Sequence, residues 1–382
     1  MSERVDTREA IDADGHILEP PDLWESYLEK KYRDRALRIR QNPEGLEYLE
    51  IDGKPSKLTS PGFPWALGAM GKSDIEPRPD RTYLSGAPPG ASNPRERVAR
   101  LDEEGLAKAV LYPSLGLLWE AELDDPELSA AYCRAYNRWI VDFCKDSSGR
   151  LFPIAHISFS DPELAAQELE RAVRDGCKGA MVAPWTWTRE SHAHPIYDPV
   201  WTKAQELDVP IGFHPAFEPT EITHHGRFKR LMAGEPVDFN WYFDVTIVQT
   251  MQQTFLALFH LALFDRFPQA KVVVLESQAG WIGYLLDRMD AVFHSPVSAS
   301  MMKEPPSTYF ARQCWISADP DEKALSKIIE FVGSDKFFWA SDFPHPDHPP
   351  DYMEKVERLV QPLSAQARRQ VLGENVERVY NL

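Results

Sequence analysis

A (β/α)8 TIM barrel of the α/β class is the fold this 382-residue sequence predicts, and three observations point to it. Eight short apolar runs alternate with helical patterns along most of the chain. Several of those runs are almost continuously apolar, as parallel strands covered on both faces require. Nothing resembling GxGxxG or a Walker phosphate loop follows any of them, so the usual signatures of a doubly wound sheet are missing.

The predicted strands are Ala10–Asp14, Lys108–Pro113, Leu151–Ser158, Gly179–Ala183, Pro210–His214, Lys271–Glu276, Cys314–Ala318 and Phe337–Ser341. Helix signals lie between them. Asn93-Pro94 supplies an N-cap and first-turn proline, and Gly105 a stop. Asp161-Pro162-Glu163 opens a second helix, with Leu164, Leu169 and Val173 apolar and Gly176 at its end. Two stretches break the rhythm, 41–92 and 218–244. Each leaves the C-terminal end of a strand, so both are expected as insertions capping the barrel mouth. The 32 prolines suit such long, rigid loops. With no repeat, low-complexity tract or linker, residues 1–382 read as a single elaborated domain.

Charge and composition narrow the functions. Against 42 Lys and Arg stand 59 Asp and Glu, a net charge of −17, which argues against unaided binding to nucleic acid or anionic lipid. Residues 1–10 contain no apolar signal segment. The apolar stretch Val245–Phe267 is interrupted by Gln249, Gln252, Gln253, His260 and Asp265, so no membrane span is expected. That stretch is apolar on more than one side, as a barrel cover that also joins subunits would be; a homodimer or larger homo-oligomer is expected. Cys133, Cys144, Cys177 and Cys314 are widely scattered and read as reduced core thiols of a cytoplasmic protein.

The chemistry gathers at predicted strand ends. Asp14 and His16 are two apart, so on a strand their side chains leave the same face. His214 ends the fifth strand, and Asp342 with His345 follows the eighth. Two histidines and two carboxylates suit Zn²⁺ or Mn²⁺, and the C-terminal rim is where this barrel places its catalytic groups. Glu19 sits in the same motif as His16, as a ligand, a support or an anchor for its loop. Trp185, Phe217 and Trp241, with Trp65, Trp119, Trp187 and Tyr242, crowd the predicted mouth and suit a small, flat, partly apolar substrate. His192 and His194 copy the HxH spacing but sit in a polar loop, which argues against metal binding there.

The stretches IDADGHILEPPDLW, IGFHPAF, KVVVLESQAGWIGYLLDRMD and FFWASDFPHPD together resemble the amidohydrolase-related family. The resemblance is to the branch of the amidohydrolase superfamily that includes aminocarboxymuconate semialdehyde decarboxylase. It implies a barrel with one divalent metal ion at the mouth. The family's HxH motif falls on Asp14 and His16, its fifth-strand histidine on His214 and its eighth-strand aspartate on Asp342. The first His is an Asp here, as in some relatives. Where many decarboxylase relatives have a proton-handling His after the sixth strand, this chain has Glu276. A carboxyl group against an apolar wall can exchange protons near neutral pH; pairing with a cation is its alternative role.

These residues lead to the expectation of a metal-dependent hydrolase acting on a small aromatic or cyclic substrate. Asp14, His16, His214 and Asp342 would hold the ion, Asp342 would accept a proton from a metal-activated water, and Glu276 and His345 would assist. Counting charge favours this choice: two ionised Asp cancel a divalent cation, and an ionised Glu276 leaves the pocket negative toward a carboxylate substrate. Non-oxidative decarboxylation of a small aromatic or unsaturated acid is the second reading. A metal-free binding protein on the same barrel is the third.

Overall fold

Each of the eight predicted strands has a counterpart in the computed structural model, which describes residues 7–219, 241–298 and 300–382 without the side chains of 241–244. They are β1 (Ile11–Ile17), β2 (Lys108–Pro113), β3 (Leu151–Pro153, resumed at Ala155–His156), β4 (Ala180–Val182), β5 (Pro210–Phe213), β6 (Lys271–Val274), β7 (Cys314–Ala318) and β8 (Phe337–Trp339). All neighbouring pairs are parallel: β1 to β2 to β3 on one side of Ile154, and β3 through β8 in sequence on the other. At Ile154 the strand passes from one neighbour to the next, its own N–H bonding Leu111 O at 3.1 Å and that of Ala155 bonding Gly179 O at 3.0 Å.

The ring closes between β8 and β1. His16 N donates to Phe343 O at 2.7 Å and Asp342 N to Asp14 O at 3.0 Å. Closure thus falls on the residues expected to carry chemistry, and it explains why β1 runs past Asp14 to Ile17. Strands β6 and β8 stop earlier than expected because the chain turns there. Glu276 and Asp342 adopt positive φ, 37° and 51°, in a region that costs a non-glycine residue about 1–3 kcal/mol.

The helix signals work as expected. Asn93 Oδ1 accepts from Arg95 N and Glu96 N and opens helix Pro94–Glu104, which ends at Gly105 with φ 70°. Asp161 caps helix Pro162–Asp175 in the same manner, and Gly176 closes it. The first insertion begins with a small antiparallel sheet, Arg38–Gln41, Glu47–Ile51 and Lys54–Pro55. It then brings helix Phe63–Ala66 over the mouth and is tied to the loop after β8 by Met70 N to Pro344 O, 3.1 Å. Residues 220–240 of the second insertion, with His224, His225 and Arg227, lie outside the described residues.

One cluster of buried apolar side chains runs from Ala10 to Tyr380. Among the described residues, no helix is long and apolar enough to cross a membrane.

Candidate active site: a metal centre under an apolar cleft

The centre is built outward from two imidazoles. His16, on β1, places Nδ1 2.9 Å from Pro113 O; His214, just past β5, places Nδ1 2.8 Å from Pro215 O. A carbonyl oxygen only accepts, so each Nδ1 carries the proton, and in the neutral rings each Nε2 is a bare lone pair. Those two Nε2 atoms face each other at 3.1 Å. Around them stand three carboxylates. Asp14 lies 3.5 Å from His16 Nε2 and 3.6 Å from His214 Nε2; Asp342 Oδ1 is 3.2 Å from His16; Glu276 Oε2 is 3.0 Å from His214. Asp14, His16 and His214 are completely buried, and Asp342 is 1% exposed.

Two lone pairs face to face amid buried carboxylates call for a cation. Both oxygens of Asp14 and Oε2 of Glu276 are buried without a hydrogen bond of good geometry, which native proteins rarely tolerate. Two nitrogens each about 2.0–2.1 Å from one zinc ion lie about 2.8–3.4 Å apart across octahedral and tetrahedral coordination, a range that includes the 3.1 Å seen here. The same need is visible in the protonation of His214. Burial disfavours its charge, yet Asp14 and Glu276 together drive its pKa to about 10. The residues therefore fit one divalent cation: ligand atoms of Asp14, His16, His214 and Glu276 all lie within 4.8 Å of one another, as do those of His16, Glu276, Asp342 and His345.

Asp342 is gripped from both sides. His345 Nδ1 lies 2.9 Å from its Oδ1, and His348 Nδ1 2.7 Å from its Oδ2. Burial would raise its pKa, but His345 and His348 hold it well below the carboxylate range. Glu276 moves the other way: burial and then Asp342 push it up to about 7, against the pull of His214. His345 is in turn anchored by Ser114 Oγ at 2.8 Å and stacks on His16 at 4.1 Å.

Over this centre lies a cleft of about 1040 Å³, counting its open mouth. Its lining includes apolar Phe63, Leu67, Leu117, Phe217, Ile247 and Val248 and polar Glu276, Gln278, Asp319, Asp347, His345 and His348. The cleft thus joins apolar side chains to an acid whose pKa is raised to about 7.

Some expected pocket residues lie elsewhere. Glu19 is fully buried away from the cleft, where its carboxylate accepts from Ser114 N, Leu115 N and Gly116 N at 3.3, 2.9 and 3.2 Å. It steadies the loop that presents Ser114 to His345. Trp185 stands behind the cleft wall, bracing Phe217 by donating Nε1 to its carbonyl at 2.9 Å. Of the aromatic residues singled out and described, only Phe217 lines the cleft. Trp119 packs on Tyr132 and His156 in the core, and Trp65 sits under Arg81. The side chains of Trp241 and Tyr242 lie outside the described residues. His192 is caged by Phe159, Tyr197 and Phe213, far from any ligand role in the centre.

Sequence reasoning missed His348 and Asp319. Asp319 directly follows β7, so the strand-end rule that found His214 and Asp342 reaches it too. His348 had a weaker signal, lying three residues past His345 in a loop.

A closed barrel with histidines and carboxylates converging at its C-terminal rim defines a metal-dependent enzyme class of this fold. The chain belongs to the amidohydrolase family, whose family model matches residues 11–382. It is 24% identical over 319 residues to gamma-resorcylate decarboxylase of Polaromonas sp., covering 75% of this chain and 86% of that one. Its fold is similar to that of an amidohydrolase from Mycobacterium avium subsp. paratuberculosis K-10, with TM-score 0.76, 21% identity, and 97% and 99% of the two chains covered. It is also similar to a dihydroxybenzoic acid decarboxylase from Polaromonas sp. JS666 solved with manganese and 2-nitroresorcinol, with TM-score 0.64, 19% identity, and 98% and 97% covered.

These relatives correct the expectation of hydrolysis. Gamma-resorcylate decarboxylases align in sequence over 75% of this chain and 86% of their own length, so the carboxy-lyase reading takes precedence. The charge count behind the hydrolase reading assumed an ionised Glu276. With a pKa near 7 that group also exists as the neutral acid.

Proposed function

We propose that this chain is a metal-dependent carboxy-lyase that removes carbon dioxide from a small aromatic acid. The observation that carries this reading is its alignment with gamma-resorcylate decarboxylases over 75% of its own length. The cation, when bound, supplies a Lewis acid that holds the substrate's carboxylate or a neighbouring oxygen. Asp14, His16, His214 and Asp342 hold that cation, and His345 and His348 keep Asp342 in its anionic form.

Glu276 is the proton donor. It lines the cleft and its pKa lies near 7, so it can carry a proton at neutral pH and deliver it. The ring carbon bearing the carboxylate takes that proton. The bond to the carboxylate then breaks, its electron pair restores the aromatic ring, and carbon dioxide leaves. Solvent reprotonates Glu276. Phe63, Leu67, Phe217 and Val248 clasp the ring and exclude bulk water from the protonated carbon.

The test is carbon dioxide release from a panel of hydroxybenzoic acids by the manganese-loaded protein. Glu276→Gln is expected to lower kcat at least 100-fold while bound manganese is unchanged. Turnover by Glu276→Gln at the wild-type rate removes Glu276 from the role, and product formed without carbon dioxide removes the reaction.

Buried free Cys133, Cys144, Cys177 and Cys314 support a reducing, cytoplasmic setting for a single-domain chain. Tyr284, Phe331 and Val297, all well exposed, support a homo-oligomer, which light scattering measures directly.

A further inference from the structure

We propose that the barrel mouth holds a second divalent cation, bound by Asp342 Oδ2, His348 Nδ1 and the Asp347 carboxylate, with Asp342 bridging it to the first. Ligand atoms of Asp342, Asp347 and His348 lie within 4.8 Å of one another, in a group that shares only Asp342 with those of the first site. The two oxygens of Asp342 face different ways. Oδ1 meets His16 and His345, while Oδ2 meets His348.

Three further observations support this site. Asp342 Oδ2 and His348 Nδ1 are buried and approach to 2.7 Å, yet neither has a hydrogen bond of good geometry. Two atoms so placed suit donors turned toward a common ion rather than toward each other. Next, His348 Nε2 lies 3.6 Å from Asp319 Oδ1, and Asp319 is only 5% exposed. A carboxylate behind an imidazole is the support that metal-binding histidines usually have, fixing the tautomer and turning the other nitrogen to the ion.

The last observation is charge. Carboxylates of Asp319, Asp321 and Asp347 line the cleft, and no Lys or Arg is among the described residues lining it. A second cation there offsets part of that acidic lining where an anionic acid must enter. This last advantage rests on the decarboxylase reading; the ligand geometry does not.

The test counts ions on the full-length protein, stripped with a chelator and titrated with Mn²⁺ by equilibrium dialysis. Wild type is expected to take up two ions per chain, with the electron paramagnetic resonance signature of a spin-coupled pair. His348→Ala and Asp347→Asn are each expected to take up one, without that signature. Asp347 is exposed, so its variant is expected to keep the wild-type circular dichroism. Saturation of wild type at one ion per chain overturns the proposal, as does a count of two in both variants. Ion counting needs no turnover, so it fails or succeeds separately from the assigned reaction.

Discussion

Gly15 stands between the two first-strand ligands, and its lack of a side chain is a condition of the site. A Cβ there would lie 2.7 Å from Asp12 Oδ2 and 3.4 Å from an Arg97 guanidinium nitrogen. Asp12 cannot give way, because it accepts from Ser341 N at 3.0 Å and Ser341 Oγ at 2.6 Å. Gly15→Ala is therefore expected to cost about 1–3 kcal/mol, read as a lower urea midpoint at unchanged slope. Full stability in that variant would mean that β1 can shift, and the ligand geometry with it. The convergence of Asp14, His16, His214 and Asp342 was legible in sequence because each sits at a strand end, where chain order alone puts it on the rim. His348 and Glu276 were harder to read. Their placement depends on loop conformation, including the positive φ of Glu276, which no spacing rule foretells.

At the scale of elements, two buried charged groups, Asp12 and Arg97, meet at the seam between β8 and β1. Arg97, from helix Pro94–Glu104, donates to His16 O and Gly90 O and sits in the field of Asp12. Asp12 in turn holds Ser341, one residue before Asp342. The pair joins the end of the first insertion, the first metal-bearing strand and the last strand. Asp12→Ala removes two hydrogen bonds to Ser341 and the anionic field on buried Arg97, so a loss of about 1–3 kcal/mol is expected in chemical denaturation. Metal affinity should fall too, since Asp342 loses its anchored neighbour. A variant as stable as wild type would show that the seam does not depend on this pair. Capping residues announced the helices well. The partnership of Asp12 with Arg97 was invisible in sequence, because eighty-odd residues and a separate helix intervene.

For the molecule as a whole, acid stability follows from a histidine outside the active site. His192 is buried among aromatic rings, and burial lowers its pKa from 6.5 to about 3. Between those values the unfolded chain binds a proton that the folded chain refuses. Its contribution to stability is thus complete above pH 6.5 and is lost as pH falls toward 3. From pH 7 to pH 5 the loss is about 1–2 kcal/mol. His192→Phe should remove that part of the pH dependence, measured as the difference between the two proteins' unfolding free energies at each pH. Parallel curves would assign the acid sensitivity elsewhere.

Sequence by itself determined the barrel, the order of its strands and the placing of Asp14, His16, His214 and Asp342 on one rim. Apolar periodicity and strand-end chemistry are local properties, and the closure of eight parallel strands converts local order into a common rim. Only the tertiary structure decided that Glu19 supports a loop, that Trp185 stands behind the cleft wall, and that Glu276 titrates near neutrality while Asp342 stays ionised. Burial and the field of neighbours distant in sequence set those properties, and neither exists until the chain has closed on itself.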